Sequence, residues 1–194
     1  MSQKFLEKIK KIEKSYFTFK DLEKLWEGKR ESLKVVLSRL KKKGKIKKVK
    51  REIYFLPEKI VQVEKIANQV YFPSYLSFES ALSLWGILSQ IPYVLTFATC
   101  LKTKKIKIGK VLVEYRKVKK DLFFGFVFKN GIYIALPEKA LLDILYLKSL
   151  GKMKIDFSSL DFSKIKKTKF LKWLKKFPYK TKKLAKDFIP LLKL

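Results

Sequence analysis

Histidine is absent from this 194-residue chain, and cysteine occurs once, at Cys100. Without an imidazole, neither a Ser-His-Asp triad nor a Cys-His dyad can be assembled, and a lone thiol cannot build a zinc site. One cysteine also leaves no internal disulfide and suits a reducing compartment. No apolar run approaches the ~20 residues that span a bilayer. The start, MSQKFLEKIKKIEK, breaks its apolar positions with charge where a secretory signal would be continuously apolar. A cytoplasmic chain with no membrane association is the expectation. No GxxxxGK[ST] stretch exists to cradle phosphates. The one carboxylate-and-lysine stretch of nuclease type, VEYRK around Glu114, has no aspartate between Asp21 and Asp121 with which to share a cation. Glu114 is therefore expected to be a strand residue paired with a nearby lysine. No catalytic residue, cofactor or metal site is expected.

Acidic residues are also scarce, with 17 Asp and Glu against 47 Lys and Arg and a formal net charge of +30. The excess is spread along the chain. Residues 1–58 carry 19 basic and 8 acidic side chains, residues 59–151 carry 14 and 6, and residues 152–194 carry 14 and 3. An AT-rich genome or a hot habitat produces such lysine enrichment, and any chain this basic binds polyanions non-specifically. Position, not total charge, must carry information. The composition, 47% hydrophobic and 33% charged, is that of a chain able to bury a core.

Hydrophobic spacing divides the chain near Glu58, giving domains 1–58 and 59–194. Phe5, Leu6, Ile9 and Ile12 recur at helical spacing over residues 3–14. Thr18 and Asp21 resemble a capping box ahead of a second helix carrying Leu22, Leu25 and Trp26, which Gly28 ends. A third helix is predicted from about Arg30 to Lys43, with Leu33, Val36, Leu37 and Leu40 on one stripe and Gly44 as its stop. KIKKV and EIYFL then read as two strands around a Lys50–Arg51 turn.

Three helices and a two-stranded ribbon follow the order of a winged helix-turn-helix, whose third helix can enter a major groove. From Lys29 to Arg51 there are twelve basic residues and one acidic one. The candidate DNA-binding residues are Lys29, Arg30, Ser32, Lys34, Val35, Ser38, Arg39 and Lys42 on the helix, with Lys47, Lys48, Lys50 and Arg51 on the ribbon. Arg39 is the candidate for bidentate guanine contact, Ser38 for base or phosphate, and Val35 for a thymine methyl. The ribbon cations are expected to hold phosphate. A solvated basic face, or a winged helix used only for protein contacts, is the competing reading.

After a connecting helix bearing Ile60, Val63, Ile66, Ala67 and Val70, a helix with Ser77 as N-cap is predicted over Phe78, Ala81, Leu82 and Trp85, ended by Gly86. Strand-like runs follow at 93–100, 105–118, 122–128 and 132–136, with Asn130-Gly131 as a hairpin signal. Pro137 opens a helix over LPEKALLDILYL, and helices at about 168–177 and 180–189 close the chain. The fold class expected is α+β: the winged helix-turn-helix, then an α+β domain with a small mixed or antiparallel sheet and C-terminal helices. In the last stretch Phe170, Trp173, Phe177 and Tyr179 interleave with lysine, as in an RNA-binding or protein-binding module. The spacing of Phe170, Leu171, Leu174 and Phe177 favours a packing stripe.

The segments YLSFESALSLWGI, QIPYVLTFAT and, after a glycine hairpin, IALPEKALLDIL resemble the AbiEi family of transcriptional regulators, the antitoxins of type IV toxin–antitoxin systems. Together with the basic winged helix, the resemblance spans residues 15–148. It implies a double-stranded DNA partner (a promoter or operator with inverted repeats), autorepression of the operon, and a C-terminal domain that counters a nucleotidyltransferase toxin. It also implies that Ser77, Ser80, Ala81, Leu82, Pro137, Glu138, Leu142 and Asp143 are framework residues of that domain. The alternative is a stand-alone winged-helix regulator without a toxin. The oligomeric state is not legible in the sequence.

Overall fold

The computed structural model describes residues 2–50, 52–59 and 62–192, and the chain folds as two units, Met1–Val70 and Tyr71–Leu194. In the first unit, helix α1 (Ser2–Lys11) buries Phe5 and Ile9, one turn apart. A two-residue strand, β1 (Phe17–Thr18), leads into α2 (Phe19–Leu25). The start of α2 is closed reciprocally: the Asp21 N–H donates to Thr18 Oγ1 (3.1 Å) and the Thr18 N–H donates to Asp21 Oδ2 (2.9 Å).

Burial pushes the Asp21 carboxyl up, but the Thr18 hydrogen bonds and the Lys14 ammonium outweigh it and hold it below its ordinary value. A depressed carboxylate contributes stability above its unfolded pKa and loses it as pH falls through the folded one. Thr18→Ala should therefore cost ~0.5–2 kcal/mol near neutral pH. The gap should narrow as pH drops below the ordinary value of 3.8. Urea unfolding at pH 7 and pH 3 measures both; an equal gap at the two pH values would contradict the capping role.

Helix α3 (Arg30–Lys42) buries Leu33, Val36, Leu37 and Leu40. Gly44, at φ +67°, ends it in a left-handed turn, with the Gly44 N–H donating to Lys41 O and the Lys45 N–H to Leu40 O, both at 3.0 Å. Strands β2 (Lys47–Lys50) and β3 (Ile53–Phe55) form an antiparallel ribbon, and β3 pairs with β1 on its other side. Helix, strand, helix, helix and two strands is the order of a winged helix. Its core gathers Phe5, Ile9, Phe17, Leu22, Leu33, Leu37 and Ile46. The pattern change at Glu58 marks the end of the ribbon, whereas the compact unit runs on through α4 (Val63–Val70), the expected connecting helix, of which Ile60 lies outside the described residues.

The second unit runs β4 (Ser74–Leu76), α5 (Phe78–Leu84), β5 (Val94–Thr99), β6 (Lys104–Ile108), β7 (Val111–Lys117), β8 (Phe126–Lys129), β9 (Ile132–Ala135), α6 (Pro137–Ser149), α7 (Lys167–Leu174) and α8 (Tyr179–Ala185). The strands form one mixed sheet, ordered β6-β7-β5-β4-β9-β8. β5 lies parallel to β7 and β4 parallel to β9; the other pairs are antiparallel. The sheet is larger than the small one expected, for two reasons. Residues 105–118 form a hairpin about Gly109 (φ +61°) instead of one run, and Ser74–Leu76 add a strand. Asn130 and Gly131 both take positive φ in the β8–β9 turn, as their sequence predicts.

Residues 122–125 do not join the sheet. Gly125 (φ +74°) instead passes so close to α6 that an added Cβ would lie 3.1 Å from Lys139 Cγ. Helix α6 is buried continuously from Glu138 to Leu147 and is the central helix of this unit, with α5, α7 and α8 packed on it. Phe170, Leu174 and Phe177 turn into the core, while Leu171 remains 36% exposed.

Candidate nucleic-acid interface

The stripe that anchors α3 leaves Glu31, Val35, Ser38 and Lys42 along the opposite line of the helix, all exposed. Lys34 and Lys41 flank that line on one side, and Arg39 and Lys43 on the other. Lys47 and Lys48 of the ribbon are exposed as well, with Lys48 Nζ 5.5 Å from the centre of the Tyr54 ring. Arg51 and the Lys50 side chain lie outside the described residues.

Two of the expected contact residues, Ser32 and Arg30, make contacts within the unit, and a third, Lys29, makes no side-chain cap. Ser32 Oγ donates to Lys29 O (2.6 Å) and accepts from Trp26 Nε1 (3.0 Å), so it fastens the start of α3 to the end of α2. Arg30 stacks over Phe19, 5.0 Å from the ring centre, and approaches Glu23 at 3.5 Å. Lys29 is the N-cap residue of α3, exposed, and gives no side-chain cap. Arg39 is exposed but sits toward α1. With Lys43 and Lys45 it lines a groove of about 420 Å3, whose facing wall includes Gln3, Glu7 and Lys10. Lys43 and Lys45 were not singled out from sequence; their only signal is that they bracket the Gly44 stop.

The ion pairs of this unit leave one stretch of cations without carboxylates. Glu27, Glu58, Asp21 and Glu23 pair with Lys8, Lys10, Lys14 and Arg30. Among the described residues, Lys34, Arg39, Lys41, Lys42, Lys43, Lys45, Lys47 and Lys48 have no carboxylate partner. These eight fall within residues 34–48, on α3, the turn after it and the ribbon, a stretch that holds no acidic residue, whereas Lys4, Lys11, Lys20, Lys24 and Lys29, which also lack a carboxylate partner among the described residues, are scattered over the rest of the unit.

In the second unit the notable polar group is Tyr75, Ser77, Lys139 and Asp143, each fully buried. Tyr75 Oη and Ser77 Oγ donate to Asp143 Oδ2 at 2.9 and 2.8 Å, while Lys139 Nζ donates to Tyr75 Oη at 2.8 Å and pairs with Asp143. The Tyr75, Phe124 and Phe177 rings surround the ammonium. Burial pushes the Asp143 carboxyl up and the Lys139 ammonium down, and their mutual attraction opposes both shifts. Burial, with Asp143 adding to it, also raises the Tyr75 phenol well above its ordinary value.

Ser77 stands at the N-cap position of α5, but its side chain serves Asp143 instead of capping; α5 begins at Phe78 with φ +55°. Glu138 Oε1 accepts the Lys166 N–H (3.2 Å) at the start of α7. Glu114 pairs with Lys105 and Arg116, the kind of strand pairing expected of it. Among the described residues, no three or more His, Cys, Asp or Glu are grouped to hold a metal, and no helix is long and apolar enough to cross a membrane. No family model matches the chain, nor does any curated protein.

Proposed function

We propose that the chain is a non-enzymatic, cytoplasmic transcriptional regulator whose first unit binds a double-stranded operator through α3 and the β2–β3 ribbon. The observation that carries this is the concentration of eight cations without a carboxylate partner among the described residues, and no acidic residue, in residues 34–48, on the helix, turn and ribbon of a winged-helix arrangement. A duplex supplies the matching surface, with phosphates along both walls of the groove that admits the helix. Val35, Ser38 and Lys42 face the base edges, and Lys47 and Lys48 hold the backbone. Footprinting on DNA upstream of the chain's own gene tests this reading, with a discrete protected segment as the expected result. Uniform protection at every position would contradict it. Lys48→Ala should weaken binding to all duplexes alike and reduce the slope of log K against log salt by about 1.

The resemblance of residues 15–148 to AbiEi-type antitoxins supports the further reading that the second unit counters a nucleotidyltransferase toxin and that the first represses the shared operon. Growth rescue by the full chain, co-expressed with the product of the adjacent gene, is the expected result. Operator binding without rescue would favour a stand-alone regulator.

A further inference from the structure

We infer that the groove between α1 and the C-terminal turn of α3 grips a backbone phosphate of the bound duplex, so that Arg39 holds the DNA strand and does not read a base. This rests on the duplex-binding reading above. A helix with its side chains is ~10–12 Å across and the major groove is ~12 Å wide. Such a helix fills the groove. Only side chains on the line facing the groove floor meet base edges, and those displaced toward either flank meet the phosphate walls.

In α3 the central line is Glu31, in the first turn, then Val35, Ser38 and Lys42. Arg39 follows Ser38 by one residue, a rotation of roughly 100° from it about the helix axis. The structure places it on the flank toward α1, where it lines the groove with Lys43 and Lys45. The turn closed by Gly44, with its two backbone hydrogen bonds, fixes Lys43 and Lys45 on either side of the helix end.

The charge balance of the groove favours an anion. Lys10 on the facing wall is already held by Glu58 at 2.8 Å. Glu7 is the one carboxylate lining the groove, against the three cations Arg39, Lys43 and Lys45, none with a carboxylate partner among the described residues. A phosphodiester oxygen there would meet a planar guanidinium fork and two ammonium groups.

The test measures wild type, Arg39→Ala and the double substitution Lys43→Ala/Lys45→Ala against the footprinted operator, its single-base-pair variants and an unrelated duplex, over a range of salt. All three side chains are exposed and have no carboxylate partner among the described residues, and thermal unfolding checks that each variant folds like wild type. In Arg39→Ala, every duplex should weaken by the same factor, the salt slope should fall by about 1, and the ranking of operator variants should be kept. The double substitution should weaken every duplex alike and lower the slope by no more than about 1, because the three cations hold one phosphate. A loss of roughly 5- to 150-fold confined to one base pair would overturn the inference by making Arg39 a base reader. Unchanged binding and slope in both variants would overturn it as well. A wild-type chain that ranks no duplex above another defeats the operator reading instead, and the slope change then still decides the phosphate grip.

Discussion

Asp143→Ala should destabilise the second unit by ~3–5 kcal/mol, the range for removing one partner of a buried ion pair. Asp143 accepts from Tyr75, Ser77 and Lys139 at once, and all four residues are fully buried. Without the carboxylate, the Lys139 ammonium keeps one oxygen, Tyr75 Oη at 2.8 Å, and two buried hydroxyls lose their acceptor. Water cannot substitute without opening the core, and each stranded hydroxyl adds to the penalty. Lys139→Met combined with Asp143→Leu should recover much of the loss, because removing both charges removes the desolvation cost they share. Recovery should be partial, since Tyr75 and Ser77 still lack a partner. Guanidinium unfolding of the full chain measures all three forms. A single variant within about 1 kcal/mol of wild type would contradict the buried network.

Leu33→Ala should cost ~2–5 kcal/mol, whereas Val35→Ala, two positions along the same helix, should stay within ~0.5 kcal/mol. Leu33 is fully buried in the core shared with Phe17, Leu22 and Leu37, while Val35 is 48% exposed on the opposite line. The stability contrast fixes which side of α3 is anchored and therefore which side is free for DNA. Val35→Ala should then lower operator affinity without lowering stability, as expected of a side chain against a thymine methyl. Similar stability losses for the two substitutions would mean that α3 is rotated from the orientation described.

Much of the first unit was legible because its signals are local. The Leu33–Val36–Leu37–Leu40 stripe, the Gly44 stop and the Thr18–Asp21 cap each lie within a few residues, and each forms as expected. Strands β1 and β4 were not legible. At two and three residues they carry no periodicity and exist through partners distant in sequence. The 105–118 run looked continuous because Gly109 is a single residue among alternating apolar positions.

The burial of the polar cluster was not legible for a different reason. Lys139 and Asp143, four residues apart, have the spacing of a surface ion pair, and only the packing of α5, α7 and α8 around α6 makes them core. Arg39 could be placed on the exposed side of its helix from sequence, but its position over the groove depends on where α1 lies. The contacts of Arg30 and Ser32 were not legible because their partners, Phe19, Glu23 and Trp26, belong to the preceding helix and its end.

The central claim is that the cations of α3 and the ribbon serve recognition of a particular duplex and are not merely part of a chain of net charge +30. Its most direct test compares affinity for the DNA upstream of the chain's own gene with a scrambled duplex of the same length and composition, at about 150 mM salt and above. The expected result is tighter binding to the upstream DNA by roughly a thousandfold or more, with the preference persisting as salt weakens both. Equal affinities that collapse together as salt rises would leave only the bulk charge and would contradict the account.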